Sequence, residues 1–396
     1  MSDQRTLVSI SDQELQRRWD AVRRGMLEHG LDAIVMQNTS DWLGGYVKWF
    51  TDHPATNGYP RTVVFHKEGD MSVVEMGVFD GRRKPQASDV AYRGVTEVLT
   101  TPSFLSINYS IDYDARLAMD VLRERGCRAV GGLCPGAWPA ALSRVLEQGL
   151  DGNGGLVDVT EWVDAIKAVK SPEEIGLIRR CAILQDAVFA RVVASVKPGM
   201  RDIDVTALAQ HEGLVLGSEQ GIFLGGSAPV GRGAPFVPRH MQGRMLREGD
   251  HLPLLIEING PGGMYTEIAR TLVLGKSSQQ LQDSFAFALA AQDATLAHLK
   301  PGVLARDVAA AHDDYMRAHG HGPELRLYAH GQGYDMVERP LIRHDETMAI
   351  AADMNLAVHP GYLDATVFAV ICDNYMIGPD GPGECLHRTE KRLFEV

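Results

Sequence analysis

One stretch of this chain is echoed about a hundred residues later, and the echo constrains the shape of everything around it. QDAVFARVVASVKPGMRDIDV, starting at Gln185, resembles QDATLAHLKPGVLARDV, starting at Gln292. Lys197-Pro198-Gly199 recurs as Lys300-Pro301-Gly302, and Asp204-Val205 recurs as Asp307-Val308 at the same offset. Chance gives KPG twice easily; it rarely gives the flanking QDA and DV in register as well. Each copy reads as helix, KPG turn, helix and then strand-like material, so this part of the chain is expected to be two related α+β halves. A duplicated unit makes a cleft between its halves where groups from both meet.

Upstream the signals alternate. Ser11 and Glu14 form a capping box that opens a helix through about His29, followed by the strand-like runs LDAIVMQ, RTVVFH and MSVVEMG. A helical stretch from about Tyr113 to Arg125, the run RAVGGLC, a helix around Leu142 to Gln148 and the run LVDVT continue the pattern, which is that of an α/β domain. At Lys170-Ser171-Pro172-Glu173-Glu174 the chain offers an N-cap, a Pro at the first helical position and an acid at N3, then an amphipathic pattern to about Val196. The expected division is a first domain over residues 1–168 and a second over residues 169–396. With 396 residues, 45% of them hydrophobic, the chain has enough apolar material for two cores at roughly 100–200 residues per domain.

Charge and cysteines narrow the partners. A formal net charge of −12, with no Lys/Arg-rich block, gives no support to a nucleic-acid or anionic-membrane surface and favours a small-molecule substrate. The N-terminus lacks an apolar signal core and no apolar run approaches the ~20 residues that span a bilayer, so a cytoplasmic protein is expected. Cys127, Cys134, Cys181, Cys372 and Cys385 are odd in number and scattered, which points to free thiols. The Gly-rich run GGSAPVGRG does not lead from a strand into a helix and fails as a dinucleotide loop. Trp42, Tyr46, Trp49 and Phe50 read either as a pocket mouth or, more commonly for such a cluster, as core.

The chemistry gathers at the ends of the two halves. HLPLLIEINGPGGMYTEIARTLVLG reads as a hairpin: an apolar run from Leu252 to Ile258, a Gly/Pro turn from Gly260 to Gly263, and a second run into Thr271, Leu272 and Val273. Each arm carries one acid, Glu257 and Glu267, and strand pairing brings two such acids to one face. The second half adds His330 in RLYAHGQGYDMVERP, His359 in AVHPGY and Cys372 in TVFAVICDNYMIG. Taken singly, these are two solvated acids, a strand-capping His, a core His and a small buried thiol. Two carboxylates, two imidazoles and a thiol at analogous places instead make a metal site.

At this point the chain resembles a known superfamily, that of creatinase, aminopeptidase P, prolidase and methionine aminopeptidase. The resemblance covers nearly the whole chain and rests on AIKAVKSPEEIGLIRRCA, the REGD turn, GGMYTEIARTLVLG, HGQGYDMVERP, VHPGY and ICDNYMIGPDG. It implies a creatinase-type α/β N-terminal domain followed by an α+β pita-bread domain whose duplicated halves surround a central cleft. In the peptidases two aspartates, a histidine and two glutamates hold two metal ions. Carried over position by position, these fall on Glu257, Glu267, His330, His359 and Cys372. Four of the five are changed, yet every replacement is a donor. Exchanging carboxylates for imidazole and thiol softens the site, favouring Zn²⁺ or Fe²⁺ over Mn²⁺ or Mg²⁺. One ion, two ions and none all remain open, with one preferred because Glu shifts the bridging oxygens.

The resemblance also implies roles around the metal. A histidine that contacts substrate in aminopeptidase P and prolidase is Val337 here, which argues against peptide cleavage. The loop FVPRHMQGR places His240 near a family histidine, making it the general acid/base candidate alongside Glu267 and His330. Arg343 and Arg339 correspond to arginines that bind a substrate carboxylate, and NGYPRTVVF offers Tyr59 and Arg61 to a neighbouring subunit in a homodimer. The creatinase catalytic glutamate is replaced by Ala269. The expected function is a metal-dependent, non-peptidase hydrolase or lyase that cleaves a C–N bond in a small, carboxylate-bearing molecule. A metal-free creatinase-like hydrolase, an Xaa-Pro dipeptidase-like metallopeptidase and a non-catalytic binding protein are the alternatives.

Overall fold

The computed structural model describes residues 8–39, 45–86, 88–151 and 154–396. These form two compact units, Ser9–Lys167 and Ala168–Val396, with Val8 belonging to the second.

The first unit begins with α1 (Asp12–Glu28), started by Ser11, whose Oγ accepts the N–H of Glu14 at 3.1 Å. It continues through β1 (Ala33–Asn38), α2 (Gly45–Thr51), β2 (Arg61–His66), β3 (Met71–Met76), β4 (Gly81–Arg83) and β5 (Val95–Thr101). After these come α3 (Tyr113–Glu124), β6 (Val130–Gly132), α4 (Ala140–Leu150), β7 (Leu156–Asp158) and α5 (Thr160–Ala168). The strands make one mixed sheet, ordered β4-β5-β3-β2-β1-β6-β7. β2 is buried along its whole length because both faces of the sheet are covered. Val35, Val64 and Val74 of the sheet pack with Met119 and Leu122 of α3 and Leu142 and Leu146 of α4. Trp49 and Phe50 are core residues, the Phe50 ring meeting Phe65 edge-on at 5.0 Å. Trp42 lies outside the described residues.

The second unit is visibly a duplication. Its first half runs α6 (Pro172–Ser195), α7 (Asp202–Leu216), β8 (Gly221–Gly225), β9 (Ala228–Pro229), β10 (Asp250–Asn259) and β11 (Tyr265–Val273). The second half runs α8 (Gln279–Leu296), α9 (Ala305–Ala318), β12 (Ala329–Gly331), β13 (Glu338–Leu341), β14 (Asn355–Val358), β15 (Gly361–Leu363), β16 (Phe368–Val370), β17 (Asp373–Gly378) and β18 (Gly381–Cys385), and β19 (Phe394–Glu395) returns to the first sheet. The sheets are ordered β19-β11-β10-β8 and β13-β12-β14-β17-β18, with β9 added to the first. α6 starts at a full capping box between Ser171 and Glu174.

The two KPG turns are equivalent in space. Gly199 and Gly302 sit at φ +92° and +90°, the left-handed region that glycine enters freely, and donate to Leu246 O and Ile350 O, each at 2.9 Å. The repeated glutamines also match. Gln185 and Gln292, both fully buried, donate Nε2 to strand carbonyls: Ile256 O at 3.1 Å and Val358 O at 2.9 Å. Apolar residues of α6 and α7 cover β10 and β11, and those of α8 and α9 cover β12, β14 and β17. The two sheets join where Ala269 and Cys372 exchange backbone hydrogen bonds of 3.3 Å.

Candidate metal centre

Strand alternation aims the acids of the hairpin at the seam. Ile256, Ile258 and Ile268 point toward α6, so their neighbours in sequence, Glu257 and Glu267, face the other way, toward the second half. The pairing sets Glu257 directly opposite Glu267. His330 comes from β12, His359 follows the last residue of β14, and Cys372 immediately precedes β17.

Three of these side chains converge. A carboxylate oxygen of Glu267 and ring nitrogens of His330 and His359, all buried, lie within 4.8 Å of one another. Glu267 Oε2 is 3.7 Å from His330 Nε2 and 3.9 Å from His359 Nε2. His330 Nδ1 lies 2.9 Å from Gly331 O, a contact that assigns the proton to Nδ1 and leaves a lone pair on Nε2. His359 Nε2 is buried with no hydrogen-bond partner. An orphaned buried nitrogen is costly unless something uses its lone pair. Two imidazoles and a carboxylate are a donor set that holds catalytic Zn²⁺ or non-haem Fe²⁺. Ligand bonds of about 2.0–2.1 Å in a tetrahedral site put donors roughly 3.3–3.4 Å apart, so the carboxylate oxygen need approach each imidazole by only about half an ångström. The residues therefore fit a divalent cation.

The electrostatics suit the same role. Burial alone would raise the Glu267 carboxyl, but the imidazoles of His359 and His330 outweigh it and hold it at about 2. Burial takes His359 down to about 4 against the pull of Glu267. At neutral pH the site therefore presents one carboxylate and, at His359, a neutral imidazole, the form that binds metal.

Glu257 and Cys372 border this group with their polar atoms engaged. Glu257 Oε1 accepts from Gln332 Nε2 at 2.7 Å, and burial, reinforced by the charge of Glu267, pushes its carboxyl well above the ordinary range. The Cys372 thiol donates to Glu267 O at 3.4 Å, and burial pushes it upward too, so it is protonated. It packs with Leu255, Ala269, Ala357, Phe368 and Val370.

The remaining candidates are more dispersed. His240 is exposed on a single 3₁₀ turn, Arg239–Met241, in a loop anchored by Phe236, whose ring meets Phe368 edge-on at 5.2 Å. Arg339 is paired with Glu346 at 3.0 Å and Arg343 with Asp345 at 2.8 Å. In the first unit, Arg61 is buried beside Glu75 at 3.4 Å with Nε and Nη2 unpartnered, and the Tyr59 ring rests on Phe104. A cleft of about 730 Å³ between α3 and α4 of that unit is walled by Asp112, Arg116, Asp120 and Arg123, acids and bases that pair along their own helix.

The structure adds residues the sequence did not single out. Gln332, Asn374 and Asn355 form a buried amide chain behind the two glutamates, and Asn374 Oδ1 accepts the N–H of Glu267 at 2.7 Å. Gln332 had a signal: it lies two residues after His330, so strand alternation puts it on the same face.

Comparison with known proteins agrees with this architecture. An uncharacterized peptidase of Bacillus subtilis, YqhT, is 26% identical over 248 residues, 60% of this chain and 68% of its own length. A probable dipeptidase of Mycobacterium tuberculosis, PepE, is 28% identical over 228 residues, 56% of this chain and 59% of its own length. The crystal structure of dipeptidase PepE from Mycobacterium ulcerans superposes with a TM-score of 0.76 over 98% of this chain and 99% of that one, at 21% identity, a likeness of fold. The fold is the two-domain pita-bread arrangement. Residues 176–379 match Metallopeptidase family M24. With more than half of its length inside that match, the chain belongs to metallopeptidase family M24, a family of metal-dependent hydrolases.

Proposed function

We propose that this protein is a hydrolase that cleaves an amide-type C–N bond in a small substrate at a single-cation site built from Glu267, His330 and His359. The observation that carries the reading is the convergence of those three donors with His359 Nε2 buried and unpartnered. Similar proteins bear peptidase and dipeptidase names, which makes a dipeptide the first substrate class to test. A second reading, a non-peptide C–N substrate or a lyase reaction, is favoured by Val337 and by the imidazole and thiol at His359 and Cys372.

When bound, a divalent cation, Zn²⁺ or Fe²⁺ by the softness of the donors, polarises a substrate carbonyl and activates water. Glu267, ionised between two imidazoles, supplies the compensating negative charge. Glu257 has the complementary property: burial beside Glu267 keeps a proton on its carboxyl, and with Oε1 accepting from Gln332 that proton sits on Oε2, available to the leaving nitrogen. His240, exposed on its loop, is the candidate for exchanging protons with solvent. For Arg339 or Arg343 to bind a substrate carboxylate, each must exchange an existing acidic partner for it.

The test is hydrolysis of Xaa-Pro dipeptides, other dipeptides and non-peptide amides by protein loaded with Zn²⁺ or Fe²⁺. The expected result is turnover of at least one class, reduced in Glu267→Gln and His359→Ala by more than the ~10–100-fold that loss of an outer partner costs. Turnover confined to non-peptide substrates moves the assignment to the second reading. No turnover by loaded wild type, or undiminished turnover in Glu267→Gln, refutes the proposal.

A further inference from the structure

We infer that Gln332 is an amide clamp that limits the centre to one cation by tying up Glu257. The inference rests on the single-cation reading above and deepens it. Gln332 is fully buried and follows β12 directly, so its side chain leaves the strand on the same side as His330. Its Nε2 donates to Glu257 Oε1 at 2.7 Å, and its Oε1 accepts from Asn374 Nδ2 at 2.8 Å.

The direction of that amide is not free. Asn374 Oδ1 accepts the backbone N–H of Glu267 at 2.7 Å, which fixes Asn374 Nδ2 as the end that faces Gln332 and Asn355. Were Gln332 flipped, its NH₂ and that of Asn374 would confront each other. The backbone of one acid therefore dictates, through two amides, that the other acid meets an N–H donor. Gln332 is held further by its own N–H to Asn355 O at 3.0 Å and by Asn355 Nδ2 to Gln332 O at 3.2 Å.

This matters for ion number. A second cation about 3.5–4 Å from the first needs carboxylate oxygens with free lone pairs between and beside the two. Glu257 is the acid across the strand pair from Glu267, and the positive end of an amide dipole already occupies one of its oxygens. That dipole repels a cation at short range in a poorly screened interior. Cys372, the other side chain bordering this side, has its thiol turned to Glu267 O. Gln332 is thus a positioning residue: it acts on the metal centre through Glu257.

The experiment is metal stoichiometry and affinity, read by mass spectrometry of bound metal and by titration calorimetry with Zn²⁺ and with Mn²⁺. The full chain is compared with Gln332→Met, which keeps length and removes the donor, and with Gln332→Glu, which keeps an acceptor for Asn374 and replaces the donor by a carboxylate. The clamp predicts one equivalent in wild type and a second in both variants, binding at least ~10-fold more tightly than any second ion in wild type. Near-UV circular dichroism verifies folding, and Gln332→Glu decides the matter should Gln332→Met fail to fold. One equivalent in wild type and in the folded variants overturns the clamp alone. Two equivalents in wild type overturn it as well, and none in wild type overturns the single-cation reading together with it.

Discussion

Arg270 and Asp373 stand behind the donor cluster as a fully buried ion pair, 2.6 Å apart with neither side chain exposed. Every guanidinium nitrogen is used: Nη1 donates to Ala269 O and Cys372 O, Nη2 to Asp373 and Thr389 O, and Nε to Glu390 O. The pair joins the strand that carries Glu267 to the strand that follows Cys372. A buried charge left without its partner is expensive, so Arg270→Ala should cost about 3–5 kcal/mol of unfolding free energy in urea titrations. Arg270→Lys should also be clearly destabilising, since an ammonium cannot span five acceptors in a plane. A loss below about 1 kcal/mol for Arg270→Ala, within the range of an ordinary surface pair, contradicts this account.

The elements show what could be read from the sequence and what could not. The hairpin, the α6 capping box and the KPG repeat were legible because each depends on contacts close in sequence: alternation, a local cap, a glycine at positive φ. The repeat placed Gln185 and Gln292 at equivalent positions, but their paired hydrogen bonds to strand carbonyls are seen only in the structure. The donors Glu257, Glu267, His330, His359 and Cys372 were legible as residue types, although only Glu267, His330 and His359 bring donor atoms together. The hydrogen bond that engages Glu257 was not legible, because its donor Gln332 is held by Asn374, 42 positions away, and the two meet only through sheet pairing. The bounds of the short strands were not legible either, though the segments around His330, His359 and Cys372 read as strand-like. β12 has three residues and exists by pairing with β13 and the more distant β14, whereas β15 and β16, three residues each, pair only with one another in a short hairpin.

At the scale of the whole molecule, both units bury imidazoles in a neutral state. Burial takes His66 in the first unit to about 4 and His387 in the second to about 3. An unfolded imidazole titrates near 6.5, so between that value and about 4 the unfolded chain binds more protons than the folded one, and these residues make stability fall as pH falls. Glu257, Asp52 and Asp114, raised by burial, work in the opposite direction above the ordinary carboxylate range, so the contribution of one histidine is best isolated by difference. His66→Gln, which keeps a polar group for Ser72, should gain in Tm relative to wild type as pH drops from 6.5 toward 4. A pH-independent difference contradicts the assignment. Among the described residues no helix is long and apolar enough to cross a membrane.

The claim on which the rest depends is that Glu267, His330 and His359 hold one cation. Anomalous diffraction at the zinc and iron edges, from crystals of metal-loaded protein, tests it directly. The account predicts a single anomalous peak bounded by Glu267 Oε2, His330 Nε2 and His359 Nε2; two peaks, a peak elsewhere or none would contradict it.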